Sequence, residues 1–363
     1  MPTHTSGFQS ISNIPFKVTP SKISGDSIDH LSEQASIKRR MYCRLSRHPA
    51  CAILFRGTIT QTPKRASSAR HIYDTTDTHF IFDTYRSITT MVDPLSQRTN
   101  PLYQKDGQKH IHTSTITSIH ALSSLPADTQ SLFKPPPETE PYVLTTPSTI
   151  FHAQGGGQPS DVGTISTGST TFHVHQVRKV DPAILHMGVF SPSDKKFQES
   201  GEAEAEQKID TSKRHLHSRI HTAGHVIGLA VAHLKTTGTI APDVVDGKAS
   251  HYPGAAFVEF SGLIPGDKKG EIQARVDEMV AADMDVKIHF WDEDKAKKEC
   301  TGVMETLKGD EEDGVRVVEI GSEGSYPCGG THVQKLKECG RVVLRNIKRQ
   351  KGITKVSYEV QDV

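Results

Sequence analysis

The chain has 363 residues, room for two domains, and 34 % of them are hydrophobic, with a mean hydropathy of −0.46; both values are low for a wholly packed chain and predict an ordinary core diluted by a disordered segment. No run approaches the roughly 18 apolar residues of a transmembrane helix, and five thinly spread cysteines argue against a secreted disulfide framework and for a reducing compartment. The net charge of +1 hides an asymmetry: residues 1–90 carry 12 basic and 6 acidic side chains, a net of +6, against 31 and 36 in the remainder, a net of −5, as in a tail joined to a folded body.

Residues 1–100 are predicted to be a disordered or weakly structured extension. Ser, Thr, His and Arg dominate it, and it has no sustained period of 3.6 or 2. Asp26, Asp29 and Glu33 interrupt what would otherwise resemble a mitochondrial transit peptide, which should be poor in acids. A misread start, with Met91 as the true first residue, is the other explanation of this segment. Folding is expected from about Pro101.

Residues 101–208 read as short strands. Tyr142 to Leu144, Thr149 to Phe151, Gly163 to Ser166 and Thr171 to His175 are β-rich runs between Gly, Pro, Asp and Ser clusters. Their even spacing predicts a small β-barrel. Pro135-Pro136-Pro137 is a stiff connector, and the acidic run Glu199, Glu202, Glu204, Glu206 is expected to be a solvated linker or loop tip.

Residues 209–363 begin with a helix. Asp210, Thr211 and Ser212 offer N-caps, Leu216, Ile220, Ile227, Ala230, Val231 and Leu234 recur at helical spacing, and Gly238 marks the stop. A strand over 255–260, a helix over 271–282, a strand over 286–291 and a short charged helix around Lys295 come next. The strand 315–320 and two closing strands, 342–347 and 354–360, complete the chain. Without regular βαβ alternation, the fold class is α+β with a mainly antiparallel sheet.

Three motifs carry chemistry. His221-Thr222-Ala223-Gly224-His225 puts two imidazoles on one helix face, suited to one metal ion. Composition alone supplies about one such pair in a chain with 20 His, and His217 with His221 makes a second, so spacing by itself does not separate ligands from a histidine row. Cys328-Gly329-Gly330-Thr331-His332 adds a thiolate and an imidazole around a flexible Gly-Gly. Together they make a His₃Cys set, sound for tetrahedral zinc, catalytic or structural. Gly155-Gly156-Gly157-Gln158-Pro159-Ser160-Asp161 permits close backbone approach, with Gln158 as donor and acceptor. It is no P-loop, because no Lys-Ser/Thr comes after it at the required offset.

These motifs, in this order from Phe151 to Val333, resemble the editing domain of alanyl-tRNA synthetase and, more closely, the free-standing AlaX-type editing proteins that lack the synthetase body. The resemblance spans roughly Leu102 to Val360, including the closing run Ile353 to Val360, and nothing in residues 1–90 belongs to it. It implies an editing domain over 209–363, one zinc ion on His221, His225, Cys328 and His332, and the Gly155–Gln158 turn lying over the same pocket, with Asp161 fixing that turn. It also implies hydrolysis of the ester that joins serine or glycine to alanine-specific tRNA. No adenylate-forming core accompanies it, so the chain is not expected to be a synthetase.

In that reading zinc binds and orients the substrate. Gln158 hydrogen-bonds substrate or water, since an amide takes up no proton at neutral pH. Thr222 and Thr331 line the pocket, His217 is exposed, and Cys300 and Cys339 are structural. Arg341, Arg345, Lys348, Arg349 and Lys351 form a basic stripe beside the Cys328 loop for tRNA phosphates. The rival is a zinc-stapled tRNA-binding module without turnover. A zincin peptidase is a poor fit, because Thr222 stands where such enzymes need Glu. The expected location is cytoplasmic, with the mitochondrion as the alternative that the extension leaves open.

Overall fold

A computed structural model describes residues 94–197, 204–302, 307, 309–310 and 312–362, all of them within the unit spanning 84–363. The expectations for the extension up to residue 93, and for Glu199 and Glu202, lie outside the described residues. Among the described residues no helix is long and apolar enough to cross a membrane.

The first region runs β1 (Asn100–Pro101), α1 (Leu102–Lys105), β2 (Ile111–Thr115), β3 (Ser118–Ala121), α2 (Ala127–Ser131), β4 (Tyr142–Thr145), β5 (Ser148–Thr149), β6 (Gly163–Thr167), β7 (Thr170–Val180), β8 (Ala183–Ser191) and β9 (Glu204–Ile209). Seven strands join in the order β2-β9-β6-β7-β8-β4-β3, every neighbour antiparallel. Alternation along these strands sends Phe172, Val174, Ile165, Phe190 and Ile209 to one face, where they pack with Phe151. The edge strands are β2 and β3, and among the described residues no ladder joins them. The closure that the expected barrel requires is therefore not seen.

The acidic run departs from expectation. Glu204 and Glu206 belong to β9, an interior strand, and not to a linker or loop tip. In Glu204-Ala205-Glu206-Gln207-Lys208-Ile209 the charges face outward while Ala205, Gln207 and Ile209 are buried. Gln207 takes an inward position because its amide is used: Oε1 accepts the Ile150 N–H at 3.1 Å and Nε2 donates to the Ser148 carbonyl at 2.8 Å.

The second region runs α3 (Thr211–Thr236), β10 (Val245–Ser250), β11 (Phe257–Ser261), α4 (Lys269–Ala281), β12 (Val286–Trp291), α5 (Glu293–Glu299), β13 (Val315–Ile320), β14 (Gly324–Pro327), β15 (Arg341–Gln350) and β16 (Ile353–Gln361). Two antiparallel sheets, β10-β11-β16-β15 and β12-β13-β14, share a core with α3 and α4 built on Ile227, Phe260, Met279, Val318 and Tyr358. The α+β class and the mainly antiparallel pairing hold.

Helix α3 starts where its cap predicts: the Asp210 carboxylate accepts the Lys213 N–H at 3.0 Å. It is buried on nearly all sides, His217 included at 8 % exposure. The expectation of an exposed His217 fails because Lys213 and His215 occupy the solvated side of this turn and His217 lies on the packed side. Cys300 and Cys339 are buried free thiols, as expected of packing residues.

Candidate metal centre

The helical period brings His221 and His225 to one face of α3, ring centroids 5.0 Å apart. Pairing of β13 with β14 delivers the loop that carries the other two donors, and the Cys328 N–H still donates to the Arg316 carbonyl at 3.0 Å. The loop then passes close over His221. A Cβ at Gly330 would collide with the His221 ring and with Gln158, so only glycine fits there.

The four sequence-predicted ligands meet. One donor atom from each of His221, His225, Cys328 and His332 lies within 4.8 Å of the others. Cys328 Sγ is 3.4 Å from His221 Nε2 and 3.4 Å from His332 Nε2. A tetrahedral zinc with ordinary bond lengths sets nitrogen and sulfur about 3.6 Å apart, so the donor set fits that ion.

The groups behind the rings support the fit. His221 Nδ1–H donates to Gln158 Oε1 at 2.7 Å, and His332 Nδ1 lies 3.1 Å from Thr222 Oγ1, which also accepts the Val333 N–H. Each ring thus has an oxygen at its far nitrogen and turns Nε2 toward the sulfur, the usual device that fixes a ligating imidazole. Burial holds His221 and His332 well below the ordinary histidine range and takes His225 to about 3, neighbouring imidazoles adding to the effect. All three are therefore neutral at pH 7, the form that binds a metal. Burial also pushes the Cys328 thiol up, against the pull of Arg316; a bound cation would reverse that.

Gln158 and Thr222 are both fully buried, and their side chains bond to protein groups. Gln158 Nε2 donates to Thr331 Oγ1 at 2.8 Å, while Oε1 accepts the Thr331 N–H at 3.0 Å as well as the His221 proton. These bonds join the Gly-rich turn, α3 and the Cys328 loop. Asp161 lies at the base of that turn. It accepts the His152 N–H at 2.7 Å and Arg214 Nε at 3.1 and 3.0 Å, with Arg214 Nη2 beside it. Arg214 also donates to the carbonyls of Gly107 at 2.7 Å and Ile150 at 2.6 Å. This buried cluster clamps the start of α3 onto the first region.

A cavity of about 440 Å³ opens beside the cluster, lined among others by His221, His225, Cys328, His251, Tyr326 and Asp246. Helix α3 lines it with Gly224 and Gly228 as well as the two histidines. A Cβ at Gly228 would press on the Tyr326 hydroxyl, and one at Gly224 on the His251 ring. Tyr326 packs edge-on against His225, centroids 5.0 Å apart, and its hydroxyl donates to Asp246 Oδ2 at 3.1 Å. Sequence reasoning missed His251, Tyr326 and Asp246. Tyr326 had a signal: in an extended chain, residues two apart share a face, so Tyr326 points the way Cys328 does.

The stripe residues Arg341, Arg345, Lys348, Arg349 and Lys351 are exposed. They lie on β15 and its turn, the edge strand, with β16 and β11 between them and the cavity-lining β10. Gln273 covers part of that edge, donating to the Val342 carbonyl and accepting the Leu344 N–H, both at 2.8 Å.

Comparison with known proteins agrees with this geometry. Residues 315–356 match the family described as threonyl and alanyl tRNA synthetase second additional domain. Over 217 residues the chain is 26 % identical to "Alanyl-tRNA editing protein AlaX-L" of Pyrococcus horikoshii, covering 58 % of this chain and 49 % of that protein. It is 29 % identical over 211 residues to the alanine–tRNA ligase of Salinispora tropica, covering 57 % of this chain but 22 % of the ligase. For the alanine–tRNA ligase of Streptomyces avermitilis the figures are 28 % over 200 residues, 54 % and 21 %. The chain therefore spans about half the length of the archaeal editing protein and about a fifth of each ligase. Domain match, relatives and the four-residue cluster agree in making this chain similar to the AlaX-type alanyl-tRNA editing proteins.

Proposed function

We propose that this chain is a trans-editing hydrolase, which cleaves the ester joining serine or glycine to alanine-specific tRNA, in a site that holds one zinc ion on His221, His225, Cys328 and His332. The single observation that carries the reading is the convergence of those four donors, two of them braced from behind, at the wall of a cavity large enough for an aminoacylated ribose. In this reading residues 209–363 carry the editing site and 101–208 brace it. Bound zinc supplies Lewis acidity toward an oxygen or amine of the substrate. The chain's own residues do the rest: Gln158 and Thr222 hold the rings in register, and the glycine-lined wall admits the ester. An aminoacyl ester is already reactive, so positioning it and its water supplies much of the rate. The exposed stripe from Arg341 to Lys351 contacts tRNA phosphates, and the working compartment is the cytoplasm.

Four protein ligands also describe a closed structural zinc, which favours the second reading, a tRNA-binding module without turnover. One experiment separates them. The purified chain is analysed for metal and given alanine-specific tRNA charged with serine, glycine or alanine, with and without chelator. About one zinc per chain is expected, with loss of seryl and glycyl esters, sparing of the alanyl ester, and loss of both metal and activity in Cys328→Ala. Stoichiometric zinc with no ester cleavage would establish the binding module instead, and wild-type protein free of metal would remove the zinc assignment.

A further inference from the structure

An enzyme that removes serine and spares alanine must read one hydroxyl, and the residue that reads it can be sought only if the editing function proposed for this chain is right. On that footing we propose that His251 is the specificity-determining residue, its Nε2 accepting a hydrogen bond from the side-chain hydroxyl of a misattached serine.

The His251 ring lies between Gly157 and Gly224, at either of which a Cβ would press on it, and it stacks on His221 with centroids 4.1 Å apart and planes 23° from parallel. Its orientation is fixed from two sides. The His251 N–H donates to the Gly157 carbonyl at 2.8 Å, and Nδ1 lies 2.7 Å from the Tyr358 hydroxyl. That hydroxyl donates its only proton to the Ile220 carbonyl at 3.0 Å. With its proton on that carbonyl the hydroxyl accepts from His251 Nδ1–H, and in this arrangement the lone pair of the ring is on Nε2. His251 belongs to the cavity lining and touches a ligand of the cluster, and in this arrangement its second ring nitrogen is an acceptor.

Two oxygen acceptors behind the cluster are already used. Gln158 Oε1 accepts two protons, and Thr222 Oγ1 is bonded to Val333 and His332. Serine's hydroxyl satisfies Nε2. Alanine's methyl group covers it and leaves a buried acceptor unpaired, and such a mismatch discriminates far better than the size of one atom does. Glycine leaves room for a water in the same place.

The test uses the full chain with its metal, and alanine-specific tRNA charged with serine or with α-aminobutyrate, which replaces the hydroxyl by a methyl. Wild type should deacylate the seryl ester at least about tenfold faster. His251→Leu should erase that preference while keeping its metal, and His251→Gln, which returns an oxygen near Nε2, should restore part of it. If His251→Leu does not fold, His251→Asn makes the same deletion, because its amide reaches only the Nδ1 position. A preference that survives either deletion overturns the proposal, as does wild type that treats the two esters alike. Equal loss of both esters together with metal would mean that the ring only supports His221, and would overturn it too. Wild type inert on every ester removes the editing reading, and this inference with it.

Discussion

The two regions use buried polar groups in opposite ways. In the first, Gln207, His186 and Asp161 spend theirs on holding backbone and neighbours in place: Gln207 on the β5 carbonyl, His186 on Thr149 and the Leu144 carbonyl, Asp161 on Arg214. In the second, His221, His225, Cys328 and His332 bring one possible ligand atom each to within 4.8 Å of the others. Between them stands Gln158, a residue of the first region whose side-chain bonds all fall on the second. The difference teaches that one of the two braces, Gln158 behind His221, comes from the other region, while Thr222 behind His332 comes from α3 itself, so the register of His221 depends on how firmly the regions dock.

Three substitutions test that dependence. Arg214→Ala should have the largest effect. It strands the Asp161 carboxylate, 1 % exposed, without its cation, and breaking a buried pair from one side costs about 3–5 kcal/mol; thermal unfolding should show a large fall in Tm. A loss under about 1 kcal/mol, the range of exposed pairs, would mean that the regions do not rely on this clamp.

Gln158→Ala should come next. It deletes the oxygen behind His221 but none of the donors, so metal should still bind, with affinity or activity down about 10- to 100-fold. Titration against a competing chelator measures this directly. Unchanged affinity would reduce Gln158 to a packing residue and weaken the division of labour between the regions. Asp210→Ala should have the smallest effect. It removes the cap of α3, worth about 1 kcal/mol, in denaturant melts, and leaves metal stoichiometry intact because the ligands lie further along the helix. Metal loss in this variant would show that the helix start sets ligand position.

Much of this was legible in the sequence, for identifiable reasons. The α3 start, the two ligand motifs and the glycine-rich turn are local patterns, and local patterns survive into structure: a cap, a helical repeat, two glycines between a thiol and an imidazole. Strand β9 was hidden because its outward charges, Glu204, Glu206 and Lys208, are what a linker also shows. The direction of Gln158 was hidden because an amide serves substrate and scaffold equally well, and only the fold shows which partners lie within reach. His251 was hidden for a third reason. It is a lone histidine in a connection after β10, and its partners Tyr358 and His221 come from elements far along the chain.

Two glycines in the middle of α3 have a consequence of their own. Glycine inside a helix costs about 1 kcal/mol relative to alanine, and Gly224 and Gly228 both lie where Tyr358, His251 and Tyr326 crowd the helix. At these two positions the cavity wall is thus main chain, which no rotamer change can deepen. Efforts to admit a bulkier amino acid would have to retailor other lining residues, such as Tyr326 or Asp246, because neither glycine has a side chain to give.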